Sequence, residues 1–130
     1  MATNAGLAKK LAIKPKQRVI VRHCPDDLHG DFRKLGVAFD RGTIAEVTLS
    51  FVRARSEVDN ACKEALALTA PDGILWMAYP KKSGSIKSDL SRDDGWEPFA
   101  RAGWRPVSQI SLDDDWSALR FRPIADVKKR

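Results

Sequence analysis

The residues with the clearest chemistry form a short run of cations and hydroxyls, Lys81-Lys82-Ser83-Gly84-Ser85. Two ammonium groups beside hydroxyls on a flexible backbone can hold a phosphate or a carboxylate. The run is not a Walker loop, because its glycine follows the lysines instead of preceding them. The alternative is a solvated connection, which must be polar in any case. We predict a candidate anion site formed by Arg53, Tyr79, Lys81, Lys82, Ser83 and Ser85.

A second candidate site follows the first predicted strand, at His23-Cys24-Pro25-Asp26-Asp27. A methyltransferase or dehydrogenase needs a glycine-rich turn there, so that backbone amides can approach a nucleotide cofactor. This turn has no glycine, and its proline lacks an amide donor. Asp40 stands where a ribose-binding acid could lie, and it is equally explained as a turn residue. We therefore predict no cofactor, with Asp40 as the weak candidate ligand.

Two histidines and a cysteine raise the question of a metal ion or a nucleophile. His23, Cys24 and His29 lack the paired spacing of a structural zinc site, and the chain has no other histidine. Cys62 falls inside a predicted helix, where packing explains it. No metal site is predicted, and the sequence leaves any catalytic residue unknown.

The elements that must position these residues alternate along the chain. Apolar and β-branched runs predict strands at 18–23, 37–39, 44–52 and 74–79. Apolar residues at helical spacing predict helices at 26–35 and 57–69, and a third helix within 91–102 that starts late or bends because of Pro98. Pro71-Asp72-Gly73 is typical of a turn, and residues 81–88 of a polar loop. The runs 107–111 and 116–122 predict a hairpin with one face inward and one in water.

This order predicts an α/β fold: a small Rossmann-like three-layer sandwich, mostly parallel, with a C-terminal antiparallel hairpin. It is similar to a shortened methyltransferase-type sheet. Ligands of such sheets bind beyond the carboxyl ends of the strands. We therefore expect residues 23–27, 53–55 and 79–88 to meet.

Composition and charge bound the function. The 130 residues predict a flexible basic arm at 1–16, a single α/β domain at 17–124 and a basic tail at 125–130. The net charge of +6 comes from the two ends, since residues 19–119 hold 13 basic and 16 acidic groups. This distribution argues against a basic nucleic-acid face on the core and leaves weak binding through the termini. Without a membrane-length apolar run, a secretory signal or a disulfide framework, we expect a soluble, cytoplasmic protein.

Three segments carry a resemblance to a known family: residues 70–82 (APDGILWMAYPKK), 88–93 (SDLSRD) and 116–121 (WSALRF). Together the chain resembles the uncharacterised bacterial family catalogued as domain of unknown function 3052, over about residues 7–122. It departs from that family's pattern at residues 23–27, where glycine-containing turns are more usual. The resemblance implies the fold and a cytoplasmic setting, and no known activity comes with it.

Three functional hypotheses follow. The first is a non-enzymatic or degenerate Rossmann-like domain that binds a protein partner or a small anionic ligand at the carboxyl edge of the sheet. The alternative is a methyltransferase-like enzyme with a nucleotide cofactor near residues 23–27 and Asp40. A further alternative is a weak nucleic-acid accessory protein acting through its basic termini. No membrane partner is expected.

Overall fold

Strands and helices alternate through most of the chain. The structure is a computed structural model that describes residues 9–14, 17–33, 38–39 and 44–124. Its strands are β1 (Val19–Arg22), β2 (Ala38–Phe39), β3 (Ala45–Phe51), β4 (Thr69–Pro80), β5 (Trp104–Ser111) and β6 (Trp116–Pro123). Its helices are α1 (Asp26–Arg33), α2 (Arg55–Leu68) and α3 (Glu97–Arg101).

The described strands form a six-stranded sheet in the order β2-β1-β3-β4-β6-β5. The pairs β1–β2, β1–β3 and β3–β4 are parallel, whereas β4–β6 and β5–β6 are antiparallel. The predicted mixed α/β fold with a C-terminal antiparallel hairpin is confirmed. No helix among the described residues is both long and apolar enough to cross a membrane.

Apolar residues cover both faces of the sheet. On one face, Leu28 and Phe32 of α1 pack with Val21, Leu49 and other buried strand residues. On the other face, α2 and α3 contribute a second cluster that includes Val58, Ala65 and Phe99. Helices on both faces of a mostly parallel sheet give the three layers predicted from the sequence.

Strand β4 divides its side chains between the two faces. Trp76 and Ala78 belong to the α1 face, while Leu75 and Met77 belong to the α2 face. All of these side chains are buried, as expected for a strand covered on both sides. Trp76 Nε1 also donates a hydrogen bond of 3.0 Å to the carbonyl of Leu11.

The N-terminal segment reaches this face of the sheet. Residues 1–8 of the predicted arm lie outside the described residues, whereas residues 9–14 lie against the sheet with Leu11 only 1% exposed. Lys10 Nζ donates to the carbonyl of Ser111 at 3.0 Å. The predicted basic tail at 125–130 falls outside the described residues.

The turn predicted at residues 71–73 is wrong, because this segment continues β4. The pairing of β3 with β4 passes from Ala45↔Thr69 to Val47↔Ile74, so β4 holds extra residues there as a bulge. Gly73 permits this path. A Cβ atom at position 73 would lie 2.8 Å from the carbonyl oxygen of Ala70 and 2.9 Å from that of Glu46.

In the hairpin, the strand that is exposed to solvent is not the strand that the sequence predicted. β6 lies between β4 and β5, so residues 116–119 are all buried, and Arg120 is half-buried. The solvated strand is β5, which forms the sheet edge and is exposed over residues 105–109. An interior strand is covered on both faces whatever its alternation of polar residues.

Candidate functional site

A cleft lies where the strand order reverses, between the carboxyl ends of β1 and β3. In open α/β sheets this switch point is the place where ligands bind. The cleft has a volume of about 390 Å³, within the usual range for small-molecule sites. We call it the switch-point cleft; its lining residues are His23, Phe51, Val52, Arg53, Ser56, Glu57, Asn60, Ala61 and Glu64.

Beside the carboxyl end of β1, the cleft residues His23 and Glu64 form a hydrogen-bonded group with Arg22. Glu64, on α2, accepts from Arg22 Nη2 at 3.2 Å, and its other oxygen lies 3.2 Å from His23 Nε2. His23 follows β1 with a φ of 58°, a left-handed conformation that is uncommon for residues other than glycine. The backbone therefore turns sharply after β1 although the segment has no glycine.

The β3 wall is fixed through Arg53. Its backbone amide donates to Glu57 Oε1 at 2.6 Å, and its carbonyl accepts from Ser88 Oγ at 2.6 Å. Its guanidinium lies over the Trp116 ring, with Cζ 5.6 Å from the ring centre, as in a cation–π contact. Arg53 is thus a positioned cation at a cleft that also presents the carboxylates of Glu57 and Glu64.

A second cavity, of about 700 Å³, lies at the carboxyl end of β4. It is an open groove between loop residues 81–83, segment 91–94 and the side of β5. We call it the loop pocket; its lining residues are Tyr79, Lys81, Lys82, Ser83, Ser91, Arg92, Asp93, Asp94, Gln109, Ser111 and Ser117. It shares no lining residue with the switch-point cleft.

Hydrogen bonds order the side chains of the loop pocket. Lys81 Nζ donates to Ser111 Oγ at 2.6 Å, and Tyr79 OH donates to Gln109 Oε1 at 2.8 Å. Burial raises the pKa of the Tyr79 phenol. The phenol therefore stays protonated at neutral pH, and its proton serves as a hydrogen-bond donor.

Asp115, immediately before β6, holds the loop that carries the lysines. Its Oδ1 accepts from the amide of Ser85 at 2.7 Å and from the Ser85 hydroxyl at 2.9 Å. Its carbonyl accepts from the amide of Lys81 at 2.8 Å. These Ser85 hydrogen bonds lower the pKa of the Asp115 carboxyl below its ordinary value. A Cβ atom at Gly84 would lie 2.8 Å from Asp115 Cα, so this close approach needs a glycine.

The structure separates the residues of the predicted anion site. Tyr79, Lys81, Lys82 and Ser83 line the loop pocket together. Arg53 lies in the switch-point cleft instead, and Ser85 binds Asp115. Which ligand these residues hold stays a prediction.

The structure describes some of the weaker candidate residues and not others. Asp40 and the side chain of His29 lie outside what the structure describes. Cys24 Sγ donates to the carbonyl of Pro25 at 3.4 Å. His23 lies against Glu64 and lines the cleft.

Sequence reasoning missed the α2 residues of the cleft and the far wall of the loop pocket. Glu57, Asn60 and Glu64 stand at spacings of three and four along a helix, so a search for a polar helical face could have found them. Arg92 and Gln109 carried no comparable signal, because tertiary packing alone brings them to Lys81.

Solved structures with this architecture include methyltransferases. The chain is similar to a ribosomal protein L11 methylase from Lactobacillus delbrueckii subsp. bulgaricus, with a TM-score of 0.56 and 9% identity over 92% of this chain and 78% of that one. It is similar to the DhpI–SAH complex, with a TM-score of 0.51 and 12% identity over 82% of this chain and 66% of that one. A third is phospholethanolamine N-methyltransferase 2 of Haemonchus contortus, in complex with S-adenosylhomocysteine, with a TM-score of 0.52 and 10% identity over 92% of this chain and 36% of that one.

These likenesses define the class of fold, which is a methyltransferase-like Rossmann-type α/β sheet. Identities this low show the fold alone. No family model matches the chain, and no curated protein does. The predicted likeness to a shortened methyltransferase-type sheet is confirmed.

Proposed function

We propose that this protein is a methyltransferase-type domain that binds S-adenosylmethionine in the switch-point cleft. The observation that carries the proposal is the cleft itself, of about 390 Å³, at the point where the strand order reverses. The solved structures of similar fold, one a methylase and another a methyltransferase holding S-adenosylhomocysteine, support the same ligand class. The first hypothesis drawn from the sequence, a non-enzymatic domain, has no such support.

The charges of the cleft fit this cofactor. S-adenosylmethionine carries a carboxylate, an ammonium and a sulfonium group. Arg53 is the cation that would pair with the carboxylate, and Glu57 and Glu64 are the anions that would face the positive groups. Each carboxylate accepts several hydrogen bonds, so its present contacts with Arg53, Arg22 or His23 leave oxygen lone pairs for a ligand.

The backbone conformation of the turn after β1 also suits such a cofactor. A glycine-rich turn supplies positive φ angles, and His23 adopts a φ of 58° without glycine. Non-glycine residues hold such angles mainly where function or packing requires them. Pro25 removes one amide donor, so side chains of the cleft must provide more of the binding than they would beside a glycine turn. The cofactor supplies an electrophilic methyl group when bound.

Calorimetric titration of the full chain with S-adenosylmethionine and S-adenosylhomocysteine tests the proposal. We expect saturable binding of one ligand per chain, with amide NMR shifts centred on His23, Arg53 and residues 56–64. An unperturbed spectrum at millimolar ligand would sink the proposal.

A bulky substitution inside the cleft provides the matched control. Asn60 is exposed and lines the cleft, so Asn60→Trp fills the site without entering the core. Ala67→Trp places the same side chain at an exposed position of α2 outside the cleft. We expect Asn60→Trp to lose binding and Ala67→Trp to keep it; equal binding by both would place the ligand elsewhere.

Three further expectations from the sequence accompany this proposal. Membership in the family catalogued as domain of unknown function 3052 and a cytoplasmic location remain predictions. Nucleic-acid binding through residues 1–16 and 125–130 also remains a prediction. Oligonucleotide binding that is lost at high salt and on deletion of residues 1–16 would support nucleic-acid binding through the termini.

A further inference from the structure

The loop pocket gathers positive charge at a place the cleft does not use. Lys81, Lys82 and Arg92 line it together with the carboxylates of Asp93 and Asp94. Arg92 Nε lies 3.4 Å from Asp93 Oδ1. A guanidinium has five N–H donors, so this contact leaves the terminal nitrogens of Arg92 for a ligand. Cations outnumber carboxylates around the cavity.

Neutral donors complete the lining. Gln109 Oε1 accepts from Tyr79 OH, so the amide nitrogen of Gln109 is the donor that this side chain still offers. Ser83 adds a hydroxyl beside Lys82. Donors from the loop, from residue 92 and from β5 therefore line one open pocket, rather than projecting from one strand or helix.

The loop is held before any ligand arrives. The three hydrogen bonds from residues 81 and 85 to Asp115 fix both ends of the lysine loop. Asp113 Oδ1 in turn accepts from the amides of Asp115 and Trp116, at 2.9 and 2.8 Å, which holds the anchor itself. A binding loop that is already ordered loses less conformational entropy when a ligand binds.

We propose that the loop pocket binds the phosphate monoester group of a small molecule, independently of the switch-point cleft. A phosphate monoester carries a charge of about −1.5 to −2 and three strong acceptor oxygens at pH 7. Three cations and neutral donors around one cavity match that tetrahedral, multiply charged group better than a flat carboxylate, which takes a bidentate partner. Lys81, Lys82 and Arg92 provide the charge, while Ser83 and Gln109 orient the oxygens.

Titration of the full chain with phenyl phosphate and with inorganic phosphate, followed by calorimetry and amide NMR, tests this inference. We expect saturable binding with shifts at residues 79–83, 92 and 109. Lys81→Ala combined with Lys82→Ala lowers the affinity by about tenfold or more, the equivalent of one charge-assisted hydrogen bond. Lys63→Ala combined with Arg101→Ala removes the same charge from exposed positions of α2 and α3 and leaves the affinity unchanged.

Other outcomes overturn the inference. An equal loss in the two double variants would show diffuse attraction to net charge rather than a site. If Lys82→Glu, at an exposed position, binds phenyl phosphate as well as the parent does, the loop is not the binding element. If a single-stranded oligonucleotide binds far more tightly than phenyl phosphate and shifts the same amides, the ligand is a nucleic-acid backbone.

Failure of the phosphate-binding proposal is distinguishable from failure of the proposed S-adenosylmethionine binding. Phosphate-saturated protein still binds S-adenosylmethionine if both proposals hold. Binding of only one ligand supports that site alone and refutes the other.

Discussion

The switch-point cleft and the loop pocket lie at the same edge of one sheet and are built in different ways. The cleft is formed by the ends of parallel strands and by one face of α2, and it holds two carboxylates with Arg53. The loop pocket depends on a connection held by hydrogen bonds to Asp115, and its lining has three cations and two carboxylates. Strand order therefore determines where a site lies, whereas side chains after the strands determine which ligand it suits.

One residue links the two regions. Trp116 begins β6 opposite Pro80, immediately before the lysine loop, and its ring lies under the Arg53 guanidinium. The same ring packs edge-on against Phe51, with ring centres 5.0 Å apart. A change at Trp116 is expected to disturb both sites, whereas changes elsewhere should separate them.

The largest expected effect follows from Trp116→Ala. The side chain is only 3% exposed, and removing a buried Trp typically lowers the free energy of unfolding by about 3–5 kcal/mol. Arg53 also loses its ring contact, so S-adenosylmethionine binding by the folded protein weakens. Urea denaturation and calorimetry measure the two effects. Unchanged affinity in folded Trp116→Ala would show that the ring does not position Arg53.

A smaller and confined effect is expected for Asp115→Ala. It removes the acceptor of both Ser85 hydrogen bonds, so amide exchange at residues 81–85 accelerates and phosphate affinity falls by about tenfold. Cleft binding stays unchanged. Asp114→Ala, at the neighbouring exposed position, is the matched control. Equal behaviour of the two variants would mean that Asp115 does not organise the pocket.

Lowering the pH should likewise accelerate amide exchange at residues 81–85 in the parent protein. Because the folded-state pKa of Asp115 is lowered from 3.8, the contribution of this carboxylate to stability is complete above that pH and is lost as pH falls through the lowered pKa. Amide exchange of residues 81–85 measured across this range in the parent and in Asp115→Ala should therefore converge at the acid end. Persistent protection of the parent loop below that range would assign the anchoring to other contacts.

Glu64→Gln should weaken ligand binding in the switch-point cleft and leave binding in the loop pocket unchanged. The variant loses the negative charge between Arg22 and His23, so affinity for S-adenosylmethionine falls several-fold while phosphate affinity is retained. The free energy of unfolding changes by about 1 kcal/mol or less, because the contacts of Glu64 with Arg22 and His23 are partly exposed. Glu97→Gln, an exposed change on α3, is the control. A parallel loss of phosphate binding would argue that the sites are coupled.

The smallest effect is expected at the amino-terminal ends of β1 and β3, opposite the two sites. Hydrogen bonds from Arg18 lower the pKa of Glu46 from 4.5 to about 2. The contribution of this carboxylate to stability is therefore complete above pH 4.5 and is lost as pH falls through about 2. A carboxyl-carbon NMR titration measures the pKa of Glu46 directly, and neither ligand should change that pKa. A Glu46 pKa near 4.5 would contradict the pairing.

The parallel part of the fold was predictable because its signals are local. The β-branched run of β1, the apolar run of β4 and the apolar spacing of α2 each identify an element without knowledge of its partners. The bulge in β4 was missed because Pro71 and Gly73 have turn propensity, and pairing with β3 overrides it. The burial of β6 depends on its position between β4 and β5, which alternation along one strand does not encode.

The candidate sites were predictable only in part. Tyr79, Lys81, Lys82 and Ser83 are nearly contiguous, so the strand end that carries them keeps them together. Arg53 was assigned to the same site because both segments follow strands at one edge, but its guanidinium lies over Trp116 and its lining role is in the cleft. Side-chain direction after a strand depends on tertiary contacts that spacing does not reveal.

The position of β6 has a consequence for synthesis of the chain. β4 pairs with β3 on one side and with β6 on the other, yet all other strands of the sheet precede β6 in sequence. A ribosome-bound chain that has emerged only through β4 exposes a long apolar strand edge, which is a template for association with other chains. Premature termination before residue 116 is therefore expected to yield an aggregation-prone fragment, one that depends on chaperones to remain dispersed.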